Sequence, residues 1–181
     1  MPDPSAAGAI RNPELLAIYC NDHLAAATGG IELVTRMLGR YRGTPYEGPM
    51  ESLLDELREE RTALRTTMES LGFPVQQYKL IASWVGEKLS RGKLNGRLLS
   101  RSPSSDLVEF EFIATAVLAK RAGFETLRAL GEVDPRIDAG LFERLIDQAD
   151  DQHTWLAEAR REVAARVFGG KSEAASDAAD T

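Results

Sequence analysis

Four stretches of this chain carry apolar side chains three and four residues apart, turn after turn, and no stretch alternates in twos with β-branched residues. That spacing places the apolar residues on one side of a helix, whereas a half-buried strand needs a period of two. The pattern commits the chain to packing helix against helix. The first stripe is Ala17, Cys20, Leu24, Ala27, Ile31, Val34, Leu38 and Tyr41, and the second is Leu53, Leu54, Leu57, Leu64, Met68 and Leu71. The third, Leu107, Phe110, Ala114, Val117 and Phe124, lies in a segment that is apolar nearly all round. The fourth is Phe142, Leu145, Ile146, Ala149, Leu156, Ala159, Val163 and Val167.

Prolines punctuate these stripes. Pro13, Pro49, Pro74, Pro103 and Pro135 stand where helices would begin, a place where the N–H that proline lacks has no partner to lose. Asn12, Ser102 and Asp134 precede three of them as candidate N-caps, and Gly72 follows the second stripe as a candidate left-handed C-cap. The predicted helices span 12–41, 50–71, 74–91, 103–131 and 135–168. Short links, RGTPYEGP and the residues around Glu132 to Asp134, make antiparallel neighbours of the first two and last two. About 30 residues, holding the extra helix, separate the second stripe from the third. A link of that length lets the third bundle helix start at the same end as the second. The expected fold is all-α, an up-down-down-up four-helix bundle with a long helical crossover.

Composition narrows the function classes. At 181 residues the chain makes one domain of ordinary size, and a net charge of −6 disfavours a dedicated DNA binder. One cysteine, Cys20, excludes a disulfide framework and a multi-thiolate zinc site, and the two histidines, His23 and His153, exclude a histidine cage. The opening MPDPSAAGAIRNP lacks the pattern of a signal peptide, and the longest near-apolar run, Phe112 to Ala119, is far too short to span a membrane. A cytoplasmic location is the expectation, with flexible tails over 1–11 and 169–181 flanking a bundle over 12–168.

The stretches IYCNDHLAAATGGIELVTRM and YKLIASWVGEKLSRGKLNGRLLSRSP, together with the helix order and the long spacer, resemble the ferritin-like superfamily. The likeness is nearest to uncharacterised bacterial ferritin-like bundles and covers about residues 13–168. It implies a site for two iron or manganese ions, held by a Glu from each of two helices and a Glu-x-x-His pair from each of the other two. Carried over by position, it points to Glu60, Glu111, Asp150 and His153, with Glu32 and Glu109 as substitutes. Ala63 stands where the first histidine would be, and Asp150 replaces a glutamate, so the implied site is degenerate.

Residues 72–101 carry Lys79, Lys88, Arg91, Lys93, Arg97 and Arg101 against Glu87 alone, a net of +5. This suggests the alternative, a metal-free scaffold or interaction protein that meets an anionic partner through its basic crossover (79–101). The same bases could equally neutralise an acidic bundle. RGKLNGRLLSRSP follows no strand and lacks the phosphate-loop pattern. Gly29 and Gly30, within the first stripe, predict close approach of a neighbouring helix, or else a bend or π-bulge beside a pocket. Cys20, on the core stripe, reads as an inert small hydrophobe unless it shares a cleft with His23. Long apolar helices leave a homodimer open. The residues do not decide whether the chain is an enzyme.

Overall fold

A computed structural model describes residues 10–76 and 104–169 of the chain. Among them there are four α-helices and no strand: α1 (Pro13–Arg40), α2 (Glu47–Ser70), α3 (Ser104–Gly131) and α4 (Ala139–Phe168). The all-α expectation holds for these residues. Residues 73–76 are not helical, so Pro74 does not open a helix. The remainder of the predicted 74–91 helix, the basic crossover and both tails beyond residues 10 and 169 lie outside the described residues.

Contacts along the helices fix their directions. Arg40 at the end of α1 pairs with Glu109 near the start of α3, and the His23 ring lies on Gly123, so α1 and α3 are antiparallel. The Tyr46 hydroxyl donates to Glu162 at 2.9 Å, and the Ser70 hydroxyl donates to the Arg136 carbonyl at 2.9 Å, so α2 and α4 are antiparallel. Tyr46 stacks on Phe110 and Lys120 reaches Glu60, so α2 and α3 run the same way.

The helix ends show which start signals the chain uses. Pro13 is at the first position of α1 behind Asn12, although the Asn12 side chain makes no capping bond. α2 starts at Glu47, before the predicted residue 50, so Pro49 falls at the third helical position. Its missing N–H is still one of the orphans there, and no helical bond is lost. α4 starts at Ala139, not at Pro135. Asp134 closes a turn instead of a cap: its carboxylate accepts from the Arg136 backbone at 3.1 Å and from the Arg136 guanidinium at 2.6 and 2.9 Å. Asp138 is the actual N-cap, accepting from the Leu141 N–H at 2.9 Å. The C-terminal signal of α2 works as read. Gly72 adopts φ +75°, the Phe73 N–H reaches the Met68 carbonyl at 2.9 Å and the Gly72 N–H reaches Glu69 at 3.0 Å. These paired bonds satisfy carbonyls that would otherwise be left open.

The apolar interior forms two clusters rather than one. The first gathers Leu33, Met37, Met50, Leu57, Phe110, Val117, Leu156 and Val163, with an aromatic group of Tyr41, Tyr46, Phe110 and Trp155 at its end. The second gathers Cys20, Leu24, Leu64, Met68, Phe124, Leu127, Phe142 and Ile146. Between the two on α2, α3 and α4 lie Glu60, Lys120 and Gln152. No described helix is long and apolar enough to cross a membrane.

Candidate functional site

Each polar residue between the clusters falls on an apolar stripe. Glu60 lies between Leu57 and Leu64, Lys120 between Val117 and Phe124, and Gln152 between Ala149 and Leu156. The stripes therefore turn all three inward. Only 3% of the Glu60 side chain and 17% of the Lys120 side chain remain exposed, which leaves each dependent on a partner. The Lys120 ammonium donates to Glu60 Oε2 and, at 2.5 Å, to Gln152 Oε1. Gln152 Nε2 donates to Glu60 Oε1 at 3.0 Å and to Glu56 at 2.6 Å, and Gln148 Nε2 adds a longer bond to Glu60 Oε1 at 3.3 Å. Both Glu60 oxygens are thus engaged. Burial pushes the Glu60 carboxyl up, and Lys120 and Gln152 oppose that push. Burial pushes the Lys120 ammonium down, opposed by Glu60.

The residues implied by the ferritin-like resemblance do not converge. Only Glu60 reaches the bundle centre. Glu111 is exposed on α3, with its carboxylate 3.7 Å from the Arg160 guanidinium. Asp150 is exposed on α4 and accepts from Arg121 at 2.6 and 3.0 Å. His153 is half-buried, one step round the helix from Gln152. Of the substitutes, Glu32 is exposed on α1 and Glu109 pairs with Arg40. Among the described residues no three His, Cys, Asp or Glu side chains are grouped closely enough to hold a metal ion. The described centre offers one ammonium, the Glu60 and Glu56 carboxylates already engaged by Lys120 and Gln152, and the Gln148 and Gln152 amides. That donor set does not fit a carboxylate-bridged metal pair. Lys79, Lys88, Arg91, Lys93, Arg97 and Arg101, the expected contacts for an anionic partner, lie outside the described residues.

The polar layer borders a cavity of about 440 Å³ between α1, α2 and α3. Its walls are small or apolar: Ala26, Ala27 and Gly30 on α1 face Ala116, Ala119 and Gly123 on α3. Small residues on facing helices let backbones meet or leave a void, and at Gly30 they leave a void. Among the described residues a Cβ there would meet only Ile113 Cδ1, at 3.8 Å. α1 stays a continuous α-helix through both glycines, without the π-bulge considered from sequence. Gly30 opens the cavity rather than a close backbone contact. Gly123 plays the opposite part. A Cβ there would lie 2.8 Å from His23 Cε1 and 3.1 Å from both ring nitrogens. The imidazole rests on the bare α3 backbone, edge-on to Tyr19 at 4.5 Å.

Glu60 and Lys120 form part of the lining, with Tyr19, His23, Asp22, Arg61 and Cys20 among its other polar and sulfur-bearing residues. Burial pushes His23 below the ordinary imidazole value and so favours the neutral ring, and the Asp22 carboxylate opposes that push. Burial raises the Cys20 thiol to about 11, so it stays protonated and unreactive, as its place on the stripe suggests. Lys120 and Gln152 were legible by the same period that singles out Glu60. The cavity was not legible, because a run of small residues does not say whether the facing backbone closes on it. No family model, no curated protein and no solved structure matches the chain.

Proposed function

We propose that this chain is a ferritin-like bundle whose cavity between α1, α2 and α3 binds a small, largely apolar molecule, with an internal ammonium–carboxylate pair at the bundle centre. The parallel run of α2 and α3, with 33 residues between Ser70 and Ser104, supports the ferritin-like connectivity and its crossover. The observation that carries the binding reading is the cavity itself. Its volume of about 440 Å³ falls within the usual range for small-molecule sites, and its apolar walls converge on a few fixed polar groups. Iron or manganese held by Glu60, Glu111, Asp150 and His153 is the rival reading. It would require Lys120, Arg121 and Arg160 each to release a carboxylate.

Calorimetric titration with octanol tests the cavity, and metal analysis of the same protein tests the rival. Saturable octanol binding that survives Gly30→Ala but is lost in Gly30→Leu is the expected result. Metal remaining after Fe(II) or Mn(II) is offered and the excess removed should be close to zero per chain. No octanol binding, or binding that Gly30→Leu leaves unchanged, would overturn the cavity reading. Stoichiometric metal that disappears in Glu60→Ala and His153→Ala would restore the metal centre.

A further inference from the structure

We infer that the molecule held in this cavity is an apolar monocarboxylate and that Arg61 receives its carboxylate. The inference rests on the cavity reading and adds the chemistry of the ligand's head group. Two cations line the cavity, Lys120 and Arg61. Lys120 is committed, because its ammonium donates to Glu60 and Gln152. Arg61, the next residue along α2 from Glu60, is half-buried and makes no hydrogen bond or ion pair with any described residue. An always-charged guanidinium on the cavity lining, with its fork of donors unused by any described residue, is matched by a planar anion that can accept two parallel bonds.

The other charges leave that role to Arg61. Glu60 is neutralised by Lys120, so the pair adds no net charge to the wall. Asp22 is exposed to solvent, where water screens it. Burial disfavours a charge on His23. The remaining surface, including Ala27, Gly30, Ile113, Val117 and Leu127, suits a hydrocarbon body. A dianion or a sugar would leave polar groups facing these walls without partners, whereas a single carboxylate on an apolar body satisfies both parts of the site.

Octanoate, octanol and octylamine, titrated calorimetrically into the whole chain at neutral pH, separate the head group from the cavity. The wild-type protein should bind octanoate roughly tenfold more tightly than octanol, the gain expected when a charge-assisted pair replaces a neutral contact. Arg61→Gln should bring octanoate to the octanol level while octanol affinity stays constant. Its melting curve should match wild type, since Arg61 supports no described contact. Octanol binding as tightly as octanoate, a preference for octylamine, or an octanoate preference that survives Arg61→Gln would overturn the carboxylate assignment and leave the cavity reading standing. If none of the three binds, both fall.

Discussion

Glu60 and Lys120 are each tolerable inside the bundle only because the other is present. Removing one should therefore cost far more than removing both. Glu60→Ala strands an ammonium between the Phe124 ring and Gln152, and urea unfolding should show a loss of about 3 kcal/mol or more. Glu60→Leu combined with Lys120→Met should recover most of that loss, because well-packed apolar residues often replace a buried pair at no net cost. Recovery absent from the double variant would show that the pair itself stabilises the fold. Asp134 supplies a separate test at the α3–α4 turn. Hydrogen bonds from Arg136 hold its carboxyl below the ordinary 3.8. Its contribution is thus complete above that ordinary value and disappears as pH falls through the lowered one. Urea midpoints measured against pH should drop less on the acid side in Asp134→Asn than in wild type. Asp134 also shows what local sequence leaves open. An aspartate before proline reads as a helix cap, but its carboxylate turns to Arg136, and the cap passes to Asp138.

The stripes gave each described helix its place and nearly its length, since a buried face repeats over many turns and one misread residue does not alter it. Helix starts were less legible, because Pro49 and Pro135 are tolerated at several positions near a helix and do not choose among them. Asn21 illustrates the same limit for tertiary contacts. It is buried on α1, and its amide donates to the Pro74 carbonyl at 3.0 Å while accepting from the Gln76 N–H at 2.8 Å, a tie that no local spacing announces. The glycines divide by element in a way that substitution can read. Gly30→Ala should stabilise α1 by about 1 kcal/mol, since helix propensity improves and no described residue crowds the new methyl. Gly72→Ala should cost about 1 kcal/mol, because the C-cap of α2 requires its positive φ. Gly123→Ala should destabilise by pushing the His23 ring away from α3, and His23→Ala should relieve that loss in a double-mutant cycle. Additivity in the cycle would remove His23 as the cause. Thermal melts of these variants are sufficient to rank the effects.

Across the whole molecule, two apolar clusters meet at a charged seam, and a chain built this way has more than one apolar face to pair. Nothing in a leucine stripe alone forbids one helix from sliding a turn along its neighbour. Glu60 and Lys120 do forbid it. If α3 shifted by one turn against α2, Val117 or Phe124 would take the place opposite Glu60, and a buried carboxylate would be left without its cation. The seam therefore works as a key in a lock. Staggered assemblies of the same four helices are rejected one by one, and a single alignment of the rods remains.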